Sequence, residues 1–168
     1  MTISMTITAK QQKWLKAFHI FFIVLWTGGA FCITLCQIFI KPVSDGELIG
    51  MLKVLHFIDF FIIAPAASFT FITALLYAYY TNWGWFKHNW IIVKWIICVI
   101  GIIMGIYPLA PSLSAMVETA SRLGMNSFLD KDFIFNFNLT LFLGAFQSTT
   151  VVLAGFISSI KPWKNKLT

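Results

Sequence analysis

The chain has 168 residues, of which 59% are hydrophobic and 11% are charged, and its net charge is +6. Soluble globular domains carry about 25% charged residues, so this composition excludes an ordinary water-soluble fold. Most of the basic residues flank apolar stretches, where they orient a protein and contact membrane lipids. The positive charge therefore does not indicate a nucleic-acid-binding protein.

Four stretches without a charged residue predict four membrane-spanning helices: Ala17 to Ile40, Phe60 to Phe86, Trp95 to Val117 and Phe133 to Ile160. Each contains at least 23 residues, and about 20 suffice to cross the hydrocarbon core. We therefore predict an all-α fold in which residues 1–168 form a single integral membrane domain. It is an antiparallel bundle of four transmembrane helices, with spans at about 15–40, 57–80, 90–112 and 133–160.

Basic residues concentrate on one side of this predicted bundle. They precede span 1, lie between spans 2 and 3 or just beyond, and follow span 4: Lys10, Lys13, Lys16, Lys87, Lys94, Lys161, Lys164 and Lys166. The basic excess marks the cytoplasmic face, so both termini are predicted to be cytoplasmic, in the inner membrane of a bacterium. Tryptophans suited to anchoring at the interface lie at the same span ends: Trp14, Trp83, Trp85, Trp90 and Trp163.

The connections on the outer side are predicted to be short. The longest runs from Glu118 to Asp132, and a helical turn is expected around Met116 to Leu123. Pro108 and Pro111 fall near the outer end of span 3, where a kink or an early exit from the helix is tolerated.

Each predicted helix has one face of small and polar residues, and in lipid such a face turns toward protein. Span 1 carries His19, Trp26, Ala30 and Gln37; span 2 His56, Ala67, Thr70 and Ala74; span 3 Lys94, Gly101, Gly105 and Ser112; span 4 Asn136, Thr140, Gln147, Ala154 and Ser158. We predict that Gly101 and Gly105 pack against a neighbouring helix and that Gln147 holds helices together. Gln37, near the outer end, is expected at the interface.

Three of these polar residues have similar predicted depths in the cytoplasmic half of the bundle. His19 and Lys94 lie near the starts of their spans, and Ser158 lies near the end of span 4. A lysine inside a span indicates a functional site, unless its long stem lets the ammonium group reach the headgroups. A lone histidine is usually a hydrogen-bonded interior residue, but a shared layer with Lys94 favours a binding site.

A second ionisable pair, His56 and Asp59, lies three residues apart on one helical turn near the start of span 2. The carboxylate could hold the imidazole in one tautomer. The alternative, which we favour, is a solvated interfacial pair together with Lys53.

Two segments of span 1, Trp14 to His19 (WLKAFH) and Leu25 to Gly29 (LWTGG), resemble the first helix of three bacterial membrane families. These are the J-type protoporphyrinogen oxidases, the copper-resistance D family and a family of small four-helix proteins of unknown function. The resemblance to the last family covers roughly residues 14–116. Within that range the resemblance rests on Ile58 to Pro65, Asn82 to Lys94 and Leu109 to Pro111. Outside it, the resemblance includes Lys161 to Trp163.

The resemblance to the oxidases implies that haem b binds to His19, the iron ligand, with Lys94 as a substrate or propionate partner. Trp26, Gly29, Gly101 and Gly105 would line the groove between helices. His56 is predicted at the opposite end of the bundle, so ligation by His19 together with His56 is not expected; His19 is either the only protein ligand or is paired with another residue, such as His88. The leading hypothesis is therefore a haem-binding protein of membrane redox or porphyrin chemistry.

Other classes of function stay open. The chain could be a non-enzymatic membrane module that binds a lipid or a small molecule such as a porphyrin or a quinone. It could also be a subunit of a membrane assembly or of an oligomeric transporter, or act as a homo-oligomer. The residues do not decide whether the protein is an enzyme.

Overall fold

The computed structural model describes residues 7–81 and 84–160, and these fold into helices joined by short turns, with no strand among them. We number the α-helices α1 (Ala9–Phe39), α2 (Asp45–Ile58), α3 (Ala64–Tyr80), α4 (Asn89–Met104), α5 (Ala110–Leu123) and α6 (Lys131–Ile160). A π-helical segment joins α2 to α3 (Asp59–Ile63), a second joins α4 to α5 (Gly105–Leu109), and a 3-10 helix (Gly124–Leu129) precedes α6. The predictions made for Trp83, Lys161, Trp163, Lys164 and Lys166 lie outside the described residues.

Four continuous helical stretches are long and apolar enough to cross a membrane: Ala9–Phe39, Asp45–Tyr80, Asn89–Leu129 and Lys131–Ile160. Large apolar side chains are exposed along each of them, among them Phe21, Phe61, Ile103 and Phe142. Such side chains suit contact with lipid rather than water. The prediction of an all-helical chain with four membrane-spanning helices is confirmed, and the protein is a multi-pass membrane protein.

The second and third continuous helical stretches, Asp45–Tyr80 and Asn89–Leu129, are longer than the predicted spans 57–80 and 90–112. Helix α2 begins at Asp45, where a connection was expected, and the residues Met116 to Leu123 belong to α5 instead of forming an isolated turn. Pro108 neither ends the helix nor lets the chain leave the membrane, because it lies inside the π-helical segment.

Both π-helical segments precede the dipeptide Ala-Pro. Ala64 and Ala110 donate their backbone N–H groups to Asp59 and Gly105, five residues earlier, instead of four. The prolines that follow, Pro65 and Pro111, have no N–H to donate to the preceding turn. We attribute the widened turns to these prolines, since a local i to i+5 pattern lets the helix continue past a missing donor.

The most completely buried apolar side chains lie where α2, α5 and the start of α6 meet. We call Leu48, Leu52, Leu55, Met116 and Phe133 the end cluster, and none of them is more than 1% exposed. Ser44 caps α2 by accepting a hydrogen bond from the backbone N–H of Glu47, and Asp130 accepts one from Phe133. Caps of this kind stabilise helix ends that have no intrahelical partner.

The other end of the bundle is packed more loosely. In α4, only Trp90 and Gly101 of the 16 residues are buried. Between α3 and α4 lies a groove of about 350 Å³, lined by Ser68, Phe71, Ile72, Val99, Ile102 and Ile103. This groove is apolar apart from Ser68.

Candidate functional site

His19 lies on α1, is partly buried, and is held by α3. Its Nδ1 is 2.8 Å from the hydroxyl oxygen of Thr73. That hydroxyl is within hydrogen-bond distance of two carbonyl oxygens, those of Phe69 and Thr70, and so donates its own proton to the backbone. His19 Nδ1 must therefore be the donor to Thr73, which leaves Nε2 as the unprotonated nitrogen.

His19 also has a hydrogen bond with the backbone carbonyl of Thr70, three residues before Thr73 on α3. An imidazole whose other nitrogen donates to an oxygen is oriented in the manner of metal-ligating histidines. The arrangement therefore gives His19 an available ligand atom.

Lys94, on α4, is also partly buried and lies near His19. Its ammonium group donates to the hydroxyl of Ser158 at 3.3 Å and lies 5.7 Å from the centre of the Trp90 ring. Lys94 and His19 are close enough to interact electrostatically. We call His19, Thr73, Lys94 and Ser158 the His19 layer. Three of these residues, His19, Lys94 and Ser158, were predicted to lie at one depth, and they are neighbours in the structure.

No carboxylate pairs with Lys94 in the described part of the chain. Lys94 contacts the Ser158 hydroxyl and the Trp90 ring and interacts electrostatically with Cys98, and neutral groups of this kind stabilise an ammonium ion less than a carboxylate would. A partly buried ammonium group without a counter-ion is costly, so the layer favours an anionic group beside Lys94.

Other side chains of the protein fill the space beside two of the four residues predicted to line a cofactor groove. A methyl group added to Gly101 would lie 3.0 Å from the ring of Trp26, and one added to Gly29 would lie 2.7 Å from Ile63. Gln147 also donates to the Gly101 carbonyl at 2.7 Å. These contacts confirm helix packing at Gly101 and the structural role predicted for Gln147.

Gly105 differs from Gly101. Nothing lies within 4 Å of the position that its side chain would occupy, so the prediction that it packs against a neighbouring helix is wrong. Gly105 donates its backbone N–H to the Gly101 carbonyl, one α-helical turn earlier, so the two glycines lie on nearly the same face; they differ because the Trp26 ring reaches Gly101 and no side chain reaches Gly105.

The largest open space between two helices near this end of the bundle is the groove between α3 and α4. Ile72, in its lining, is the neighbour of Thr73 in the chain, and Val99 follows Lys94 by five residues. None of the four residues of the His19 layer itself lines the groove. Its volume falls within the usual range of small-molecule sites, about 300–1,000 Å³.

Trp26 carries a polar atom that lacks a partner. Its side chain is 2% exposed, and its indole N–H has no acceptor among the described residues. Buried N–H groups are nearly always paired with protein, water or a ligand. Trp26 therefore both fills the space above Gly101 and has one donor to offer.

The pair His56 and Asp59 is not the solvated interfacial pair that we favoured. His56 Nε2 is 3.1 Å from Ser114 on α5, and Asp59 is buried at 8% exposure in the first π-helical segment. Asp59 comes seven residues after Leu52 and four before Ile63, both of which are buried. That helical phase is the signal that indicates its burial.

Gln37 is likewise buried, at 1% exposure, and donates to Thr140 on α6 at 2.9 Å. Its prediction as an interfacial residue is wrong, because α6 packs against it at Thr140. The helical face that Gln37 shares with Trp26 and Ala30 predicted its burial correctly, whereas depth from the end of the span did not.

No group of three or more histidine, cysteine, aspartate or glutamate side chains within residues 7–81 and 84–160 is placed to hold a metal ion. A metal at His19 would therefore need most of its ligands from a cofactor. Comparisons with models of protein families, with curated proteins and with solved structures find no match to this chain.

Proposed function

We propose that this protein binds haem b beside the His19 layer of a four-span bundle in the bacterial inner membrane. The observation that carries this proposal is the orientation of His19. Thr73 accepts its Nδ1–H, which makes Nε2 the unprotonated nitrogen, as a haem ligand requires.

The positive charge of Lys94 supports the same proposal. A haem carries two carboxylates, and Lys94 would pair with one of them in place of the missing counter-ion. We propose that the macrocycle lies in the α3–α4 groove with one edge extending to His19 and Lys94, because the groove residue Ile72 adjoins Thr73 in α3. Gly29 and Gly101 would not line it, since Ile63 and Trp26 fill the space at those glycines.

The bound haem would supply one-electron chemistry at its iron, as haem proteins do. The chain's own residues would orient the ligand nitrogen, neutralise a carboxylate and keep the groove apolar. The residues do not identify an electron partner or a substrate.

The test is to express the protein with haem supplied, purify it in mild detergent and record reduced-minus-oxidised absorbance spectra. We expect a Soret band in the wild type that is lost in His19→Ala and retained in the matched control His56→Ala. Lys94→Gln should weaken haem binding about tenfold or more, because a hydrogen bond to a charged group contributes about 1.5–3 kcal/mol.

Titration with iron-free porphyrin separates ligation from carboxylate binding. Porphyrin that binds through Lys94 without need of His19 would indicate a carboxylate site and would contradict haem ligation. Absence of the band in wild-type protein, or an unchanged band in His19→Ala, would leave the non-enzymatic membrane module as the better interpretation.

We also propose that neighbouring spans are antiparallel and that both termini are cytoplasmic. In support, His19 meets Thr73 while Gly29 meets Ile63, so residue numbers increase along one helix as they decrease along the other. Gln37 with Thr140 and Thr34 with Gly144 give the same pattern for α1 and α6. The exposed lysines Lys10, Lys13 and Lys16 support the cytoplasmic assignment.

A reporter that is active only in the cytoplasm, fused after Thr168, tests this topology. We expect activity in that fusion. Activity of a reporter that works only in the periplasm, fused at the same position, would contradict the assignment.

A further inference from the structure

A second polar site, remote from His19, lies where the four spans meet. A cavity of about 20 Å³ is lined by residues of α1, both π-helical segments, α5 and α6, and three of its lining residues are polar: Asp59, Thr140 and Gln147. A cavity needs about 10–15 Å³ to hold one water molecule. This cavity therefore has room for one guest of the size of a water molecule.

The carboxylate of Asp59 has no hydrogen-bond donor within residues 7–81 and 84–160. The one group recorded in electrostatic contact with it is His56, a turn earlier on α2. An ionised carboxylate is expensive inside a membrane protein unless a cation or a proton neutralises it. Asp59 is therefore a functional candidate by its position alone.

The two buried glutamines near this cavity add oxygen atoms that also lack donors. Gln147 donates its amide N–H to the Gly101 carbonyl, and Gln37 donates to the hydroxyl of Thr140, which itself donates to the Phe137 carbonyl. Both amide orientations are thereby determined by the hydrogen bonds.

These orientations leave two carbonyl oxygens without a donor in the described chain, Oε1 of Gln147 and Oε1 of Gln37. Gln147 lines the cavity, and so do Thr140, the partner of Gln37, and Ile33, one turn before it. An unpaired carboxylate is thus accompanied by acceptors that lack donors. Such a set is complementary to a positive charge.

We propose that the cavity at Asp59 binds one monovalent cation, either a proton or a sodium-sized ion, held by the Asp59 carboxylate with the Gln147 carbonyl oxygen beside it. One carboxylate balances one positive charge, and no second acid or third metal-ligating side chain is grouped with it in the described residues. The site does not involve His19 and does not depend on haem binding.

The backbone around the cavity is suited to such a site. Asp59 and Ile63 belong to the first π-helical segment and Leu109 to the second, so two widened turns face the same cavity. π-Helical turns occur frequently at functional sites, and membrane proteins that bind ions near the bilayer centre often do so at interrupted helices.

Labelling with dicyclohexylcarbodiimide tests the proposal on the wild-type protein. A protonated carboxyl adds across one C=N bond of this apolar reagent, its proton moves to nitrogen, and the adduct rearranges to a stable N-acylurea. The protein gains the full mass of the reagent, and peptide mapping locates the adduct. We expect the adduct at Asp59 and not in Asp59→Asn, with exposed Asp132 as the internal control.

Sodium and pH then distinguish the two cations. For a sodium-sized ion, labelling should fall about tenfold when sodium is at about ten times its Kd, and potassium should not replace it. For a proton, sodium should have no effect and labelling should decrease as pH rises. Absence of the adduct at Asp59, or an adduct insensitive to both sodium and pH, would overturn the proposal.

Control variants separate Asp59 from the other titratable groups on the elements packed against it. Among them are His56 on α2, which interacts electrostatically with Asp59, together with Lys53 on α2 and Cys32 and Cys36 on α1. We expect His56→Gln, Lys53→Gln and the double change of Cys32 and Cys36 to serine to retain the sodium or pH response. Thermal unfolding gives a second readout: the cation should raise the melting temperature of the wild type but not of Asp59→Asn.

Discussion

The end cluster and the His19 layer differ in how completely they exclude other molecules. Leu48, Leu52, Leu55 and Met116 have no exposed surface, and Ser44 caps α2, the helix that carries the three leucines. The layer, by contrast, contains two partly buried ionisable side chains, and a groove opens between α3 and α4. The tightly packed end supplies stability, whereas the proposed ligand site lies at the loosely packed end.

The prediction with the largest expected effect on stability tests this difference between the tightly packed end and the loosely packed end. Leu52→Ala should lower the free energy of unfolding by about 2–5 kcal/mol, because it removes a fully buried side chain and leaves a cavity. Ile100→Ala on α4 is the matched control, since Ile100 is 46% exposed and should change stability by less than about 1 kcal/mol. Denaturant unfolding in mild detergent gives both values, and equal losses would contradict that difference.

A substitution at Gly124, which follows α5, should have a smaller effect on stability, and the effect should come from the backbone. Its φ of +55° favours glycine, and an added methyl group would overlap the carboxylate of Asp45, which accepts the Met125 N–H at 2.7 Å. Gly124→Ala should therefore cost about 1–3 kcal/mol.

Gly46→Ala and Gly50→Ala are the controls for Gly124→Ala. Both glycines lie in α2 with open space around them, so alanine should be neutral or stabilise the helix by up to about 1 kcal/mol. Thermal unfolding of the three variants measures the difference. Equal melting temperatures would show that Gly124 tolerates a side chain.

The smallest predicted effect on stability concerns Gly101 and Gly105, at the loosely packed end. Gly101→Ala should cost about 1 kcal/mol, since the methyl group would press on the Trp26 ring at 3.0 Å. Gly105→Ala, with nothing within 4 Å, should be neutral or slightly stabilising. A loss in Gly105→Ala as large as that in Gly101→Ala would show that a neighbouring helix packs on Gly105.

Local sequence patterns predicted much of the candidate site. The helical faces predicted that Trp26 and Gly101 turn inward, and depth along the spans predicted that Lys94 and Ser158 meet. These predictions rely on helix geometry, which holds over one uninterrupted span. The helical face alone failed at Gly105, because it does not show whether a side chain of another helix is long enough to reach that depth, as Trp26 does at Gly101.

The sequence by itself determined that this is an all-helical chain with four stretches apolar enough to cross a membrane. Charge-free length decides that question, since a backbone in lipid must satisfy its own hydrogen bonds. Only the tertiary structure decided how far α2 and α5 extend, that Asp59 and Gln37 are buried, and where the grooves lie. Burial depends on which helix covers a residue, and that contact joins segments far apart in the chain, such as Gln37 with Thr140.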